Sequence, residues 1–406
     1  MRRLKRIIGP RGLIRPMRPM GPIRLIGLIG VLSLMACSAE QEMPEEPAVP
    51  ETATAISFSG TESTEEQVTR GGDRAYETYG AYETYKTNKT AGNTRAAQGL
   101  EDLLPEDKKY FTVWGYKNMS YSAGSYDDLQ EVFPGYTVNW LSNSAATTTT
   151  NSSGWEYVAQ QTSGDEQTIK YWDWGATAYR FFAVTEGGTY ESSGASGAYR
   201  TYEVAADASS AAAMEATPYY SRLWFSTGNL ADYPTRQFGK PVQLEFMKPF
   251  SRVRFMFIYS YAAEGVRLKD PVFKPTDGSK IATKGTVTVS YPLSGSKTKE
   301  EYSVTPAATG YAGELTAFTE EYIPEGTEKW YTVLPNTIKR SYTLSVNING
   351  ATKTAVVPAE YMTWLPGYSY TYIFKITDLG GVEIDLVQAA VINWSEMEGT
   401  HTVYNW

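Results

Sequence analysis

Val242-Gln243-Leu244-Glu245-Phe246, followed by Val253-Arg254-Phe255-Met256-Phe257, carries the pattern that decides the fold. Large apolar residues fall on every second position of both stretches, the period of a strand with one buried face. Working outward, Thr286-Val287-Thr288-Val289, Trp330-Tyr331-Thr332-Val333-Leu334 and Tyr342-Thr343-Leu344-Ser345-Val346-Asn347-Ile348 continue the series toward the C-terminus. Asn349-Gly350 after the last of these predicts a two-residue hairpin, because both central residues of a type I′ turn need positive φ. Toward the N-terminus, Phe111-Thr112-Val113-Trp114, Thr137-Val138-Asn139-Trp140, Trp155-Glu156-Tyr157-Val158 and Tyr179-Arg180-Phe181-Phe182-Ala183-Val184 are equally rich in β-branched and aromatic residues. Gly, Ser, Asn and Thr clusters separate them. Short strands, frequent turns and almost no helical period predict an all-β protein of two β-sandwiches, with the break near residue 240.

The N-terminus follows other rules. Residues 1–36 carry eight basic residues and no acid, then an apolar run from Leu25 to Met35, then Ala36 and the only cysteine of the chain, Cys37. That layout is an export leader with an apolar core too short to span a bilayer. Leu34-Met35-Ala36-Cys37 matches a bacterial lipobox, which predicts cleavage before Cys37 and acylation of its sulfur and new amine. Each buried methylene of an acyl chain contributes about 0.8 kcal/mol, so more than one chain anchors stably. Of 37 basic residues the leader removes eight, leaving 29 against 45 acids, a balance near −16 for the mature chain. Such a surface argues against nucleic acid as a partner. With Cys37 acylated no thiol remains, so burial and not disulfides must hold the fold.

Residues 37–50 read as a tether of acids, prolines and small residues. Residues 51–240 and 241–406 are the expected sandwich domains. Ile56 and Phe58 alternate with Ser57 and Ser59 in a short strand, and a polar loop over 60–99 holds the near-duplicate segments 75–80 and 81–86.

Reactive chemistry is sparse, and the sequence predicts neither an enzyme nor a cofactor or metal site. The single histidine, His401, cannot build a multi-histidine metal site or anchor a plausible triad. Asp127, Asp128 and Glu131 are the nearest acid cluster, and acids so spaced in a polar stretch usually face solvent. Aromatics offer the rival reading. Tyr171-Trp172-Asp173-Trp174 would suit a surface lipoprotein that stacks on a glycan, although strand packing is the commoner use of such residues.

The chain resembles the fimbrillin family, the subunits of type V pili of Gram-negative bacteria. The residues that carry the resemblance run in order along nearly the whole sequence. They are the lipobox at Cys37, the strand at Ile56–Phe58, Asn93-Thr94-Arg95-Ala96 ahead of FTVWGY (111–116), and Tyr171-Trp172-Asp173-Trp174 before Phe181-Phe182-Ala183-Val184. LEFMKPFSRVRFMF (244–257), VVPAEYMTWLPGYSYTYIFKI (356–376) and Val391-Ile392-Asn393-Trp394 complete them. The Trp, Pro, Gly and alternating Tyr of 364–372 are the most specific block.

The resemblance implies two transthyretin-like β-sandwich domains in tandem, export to the outer membrane surface, and assembly into a fimbrium by strand exchange. It also implies an extracellular arginine-specific protease that cuts between the first two strands. Mapped here, the leaving strand holds Ile56 and Phe58, and the cut follows Arg95, with Arg70 as the alternative. Other pilus subunits become partners by β-strand donation, the outer membrane is reached through lipid on Cys37, and a host or bacterial receptor is the further partner class such a subunit admits.

The physics supports exchange independently. A sandwich without one strand exposes unpaired backbone and an apolar trench, and a donated strand repairs both. The best donor is Val382 to Trp394, where Val382, Ile384, Leu386, Ala390, Ile392 and Trp394 keep a period of two. The same pattern equally fits the last strand of the chain's own sandwich.

Overall fold

Period-two stretches bury one face each, and here those faces close over two separate hydrophobic cores. A computed structural model describes residues 54–63, 68–70, 98–119, 129–141, 154–158, 167–186, 189–193, 199–227, 237–259, 267–311, 313–316, 329–377 and 380–391. Strands are numbered in chain order, and the chain is all-β.

The first sandwich pairs a large sheet with a smaller one. In the large sheet β1 (Phe58–Glu62) lies on β11 (Val242–Met247), followed by β9 (Tyr220–Ser221), β6 (Ala178–Val184), β3 (Tyr110–Asn118), β4 (Leu129–Trp140) and β5 (Trp155–Glu156). β10 (Trp224–Thr227) also pairs with β6. The smaller sheet orders β15 (Glu301–Pro306), β14 (Lys284–Pro292), β8 (Tyr199–Asp207) and β7 (Thr189–Ser193). Phe182 of β6 and Tyr291 of β14 stack at 4.1 Å between ring centres, tying the two sheets face to face. This core draws on both sides of residue 240, since Val287, Val289, Tyr291 and Leu293 pack with Phe111, Phe181 and Phe246.

The second sandwich has one sheet of β17 (Lys329–Val333), β12 (Ser251–Tyr259), β20 (Tyr368–Ile376), β21 (Val382–Val391) and β2 (Val68–Arg70). Its other sheet orders β16 (Leu315–Thr316), β13 (Leu268–Pro275), β18 (Tyr342–Ile348) and β19 (Ala351–Val357). Phe255 of β12 meets Phe273 of β13 at 4.7 Å, and both belong to a core separate from the first. Two short helices, α1 (Leu100–Leu103) and α2 (Ala211–Ala216), are the only α-helical turns among the described residues.

The β18–β19 hairpin turns on Asn349-Gly350, as the sequence predicts. Asn349 has φ 51° and Gly350 φ 87°, both in the left-handed region, and Ile348 pairs with Ala351 across the turn. A Cβ at Gly350 meets open space, so only backbone strain opposes substitution there. Gly350→Ala is therefore expected to cost about 1–2 kcal/mol in urea unfolding.

The specific block at 364–372 also has a physical account. Trp364 Nε1 donates to the Tyr372 hydroxyl at 2.8 Å, that hydroxyl donates to the Tyr361 carbonyl at 3.0 Å, and the Leu365 N–H donates to the Tyr370 hydroxyl at 2.8 Å. Gly367, at φ 75°, turns the chain into β20. Trp364 is buried, so its one donor needs the partner that the alternating tyrosines supply. Burial raises the Tyr342 phenol beside it in the same core.

Candidate strand-exchange site

Four aromatic rings close around Phe58, which together with Ile56 is fully buried. Phe133, Phe181, Tyr157 and Phe111 meet its ring edge-on at 5.1, 5.7, 6.0 and 6.4 Å. Edge-to-face rings are favourable beyond their buried area. Gly60 is a glycine because the chain passes tightly here; a Cβ on it would stand 3.0 Å from Leu100 and 3.2 Å from Phe246.

β1 is nonetheless an edge strand. Its continuous ladder is the parallel pairing with β11, from Phe58 opposite Val242 to Glu62 opposite Phe246. The Val242 N–H donates to the Ser57 carbonyl at 2.8 Å, and the Ser63 N–H donates to the Phe246 carbonyl at 3.0 Å. The other side is covered only at its ends. Ile56 N–H donates to Lys170 at 2.8 Å, Trp172 N–H donates to Thr54 at 3.0 Å, and Glu62 N–H donates to Gln98 at 2.9 Å. The Tyr157 hydroxyl adds a bond to the Ile56 carbonyl at 2.9 Å, and burial holds that phenol protonated by raising its pKa. Glu62 and Gln98 thus stand together, so the chain leaves the end of β1 and comes back to it at Gln98.

The segment thus joins high burial to one-sided pairing. Two large side chains buried at about 1.5–3 kcal/mol each stabilise the seat. Withdrawing it would leave β11 with an unpaired edge above an aromatic trench, the arrangement a donated strand completes.

The candidate donor segment is, in this chain, strand β21 of its own second sandwich. It runs antiparallel to β20 from Val382 opposite Ile376 to Val391 opposite Tyr368. Its register slips between Ile373 and Phe374, so Ile384 stands opposite Phe374, Leu386 opposite Ile373, and Asp385 has no counterpart. Ala390 pairs with Ser369. An unbroken period of two does not anticipate this bulge. Ile392 and Trp394 lie outside the described residues.

Arg70 closes β2 and pairs with Val387 of β21. Arg95, Cys37, His401, Asp127 and Asp128 lie outside the described residues. Glu131 accepts the Tyr116 hydroxyl at 2.7 Å and approaches Arg200 at 3.8 Å, a surface network joining β4 to β8. Among the described residues no group of three His, Cys, Asp or Glu could hold a metal.

The tandem tryptophans divide. Trp172 is 4% exposed and packs on Tyr179 at 4.8 Å and Phe238 at 5.3 Å, whereas Trp174 is 52% exposed. A glycan platform of both rings is therefore not formed, because the first ring is needed in the core. Lys117 Nζ and Asp173 Oδ2, 2.6 Å apart, fasten the turn between them. That hydrogen bond, helped by the Gly175 N–H, holds the Asp173 carboxyl below its ordinary range. A carboxyl so depressed on folding stabilises the fold above its unfolded pKa, and the benefit is lost as pH falls through the lower folded value. Asp173→Asn is expected to remove this acid-sensitive part, about 1 kcal/mol or less for so accessible a pair, as read from unfolding midpoints at neutral and acid pH.

Sequence reasoning missed three parts of the site: the parallel partner β11, the Tyr157 hydroxyl and β2. Only β11 left a signal, its clean alternation, and that signal does not name a partner so distant along the chain.

Residues 134–394, well over half of the chain, match the family model described as fimbrillin-like. No curated protein sequence matches significantly. Among solved structures the chain is similar to the fimbrial anchor protein Mfa2 from Porphyromonas gingivalis, at 12% identity and TM-score 0.27, covering 73% of this chain and 92% of that one. It is also similar to the C-terminally truncated tip fimbrial protein Mfa3 from the same organism, at 6% identity and TM-score 0.30, covering 70% and 94%. A Bacteroides ovatus protein assigned provisionally to cell adhesion matches at 11% identity and TM-score 0.35, covering 84% and 99%. The family match, not these superpositions, carries the assignment.

Proposed function

This chain belongs to the fimbrillin-like family, and from that premise we propose that it is a structural or adhesive subunit of surface fimbriae that joins its neighbours by exchanging β1. In this reading residues 1–36 are the export leader, Cys37 carries the lipid and 37–50 form the tether; the two sandwiches that follow do not divide at residue 240, because β11, β14 and β15 complete the first and β2 joins the second. The subunit reaches the outer membrane as a lipoprotein. An arginine-specific protease then hydrolyses the bond after Arg95, leaving a carboxylate on Arg95 and an amine on Ala96. Everything N-terminal to the cut, lipid included, is then held to the body only by non-covalent contacts.

One observation carries the proposal: Phe58, and Ile56 just before it, are fully buried, yet the strand that Phe58 opens has a continuous ladder on one side only. An exchangeable strand needs a deep seat that another strand can take, and pairing on one side lets it leave by breaking a single ladder. Arg95 is preferred to Arg70 because proteases bind substrates in extended form, and Arg70 is already paired with Val387.

Treating the purified precursor with an arginine-specific protease should yield chains that begin at Ala96 and a series of SDS-resistant oligomers. A cleaved protein that stays monomeric would overturn strand exchange. Labelling cells with radioactive palmitate should mark the uncut chain and leave Cys37→Ser unlabelled; label that persists in Cys37→Ser would place the lipid elsewhere.

A further inference from the structure

We infer that β2 is a mask over the donor strand: residues 68–70, laid along the outer edge of β21, keep that strand from being donated until the cut that frees β1 removes them as well. The inference rests on the strand-exchange reading above and adds the control of the donor to that of the acceptor.

β21 is not at the edge of its sheet. β20 pairs with it along one side, and on the other Val68, Thr69 and Arg70 pair with Ala389, Gln388 and Val387. The covered stretch, Val387–Ala389, lies in the C-terminal half of β21. A strand held on two sides must break two sets of backbone bonds to leave, and an edge strand only one.

The mask and the leaving strand are one piece of chain. Four residues lie between Ser63, just past the end of β1, and Val68, a path of five Cα-to-Cα steps. Extended chain spans at most about 3.6 Å per residue, so the step from one sandwich to the other is about 18 Å or less. A single strap therefore closes the edge of β11 in the first sandwich and then the edge of β21 in the second. Both candidate cuts, after Arg70 and after Arg95, lie C-terminal to both strands. One hydrolysis detaches both covers, whichever arginine is used.

This arrangement makes an uncut subunit inert at both ends. Its groove is filled and its donor is held, so it can neither cap nor join a growing chain. The occupant of the released donor is the vacated β11 groove of a second copy.

Two variants test the mask, Val68→Pro and Thr69→Pro. Neighbouring amides of a strand point to opposite sides, so one of the two must lose a bond to β21. In uncut protein that variant should show at least tenfold faster hydrogen exchange across Val387–Ala389, with Val242–Met247 as protected as in the wild type. Mixed with cleaved wild-type protein, its uncut chains should enter SDS-resistant complexes, while uncut wild-type chains stay out. Uncut wild-type chains that enter as readily, or exchange at 387–389 that neither proline alters, would overturn the mask. Should cleaved wild-type protein form no SDS-resistant complex at all, strand exchange itself fails, and the exchange measurement still decides whether β2 protects β21.

Discussion

Phe58→Ala is expected to destabilise the uncut protein by about 3–5 kcal/mol and to leave the cleaved, assembled protein unchanged. The loss in the precursor follows from its seat. Phe58 is fully buried among Phe111, Phe133, Tyr157 and Phe181, and all four rings belong to β3, β4, β6 or the segment after β5. Those elements are fixed by their own pairings, so the void cannot close by collapse and the full cavity cost remains. The absence of an effect after assembly follows from the proposed departure of β1. Urea midpoints of both forms, with m values compared, measure the difference. Equal losses in both forms would mean that Phe58 never leaves.

Arg95→Ala should slow cleavage by at least about a hundredfold and abolish the SDS-resistant oligomers. A protease that selects arginine does so through polar groups left unpaired when the guanidinium is missing, and such sites discriminate strongly. Arg70→Ala alone should change little, since Arg70 is paired within a ladder in the uncut chain. Timed cleavage with N-terminal sequencing separates the two sites. Products that start at Gly71 in the Arg95→Ala protein at the normal rate would make Arg70 the site.

Much of the fold can be read from periodicity. The alternation of 242–246, 253–257 and 342–348 becomes β11, β12 and β18, and the Asn349-Gly350 pair becomes the turn that its backbone preferences require. Runs such as Tyr199–Asp207, Leu268–Pro275 and Glu301–Pro306 were less legible. Their alternation is diluted by small or charged residues, and β15 is largely exposed on both faces. Pairing partners were not legible. Nothing in Phe58–Glu62 points to Val242–Met247, because backbone hydrogen bonds carry no side-chain signature.

The site was legible in part for the same reason. Ile56 and Phe58 stand out as apolar residues in a polar setting, and their burial agrees with that. The C-terminal stripe from Val382 looked like one face, but the slip at Asp385 shifts its register, and bulges have no periodic signal. The aromatic run 171–174 could not be sorted into core and surface from sequence, since Trp172 and Trp174 share a period-two face, yet a turn separates their fates.

A reversible lock between β1 and β11 tests the central claim most directly. Ser59 and Gln243 stand opposite each other in the parallel pairing, so Ser59→Cys with Gln243→Cys can join them by a disulfide. Treated with the arginine-specific protease while oxidised, the double variant should be cut yet remain monomeric, and reduction should then release the SDS-resistant oligomers. Oligomers that form while the disulfide is intact would show that β1 need not leave, and would contradict the account.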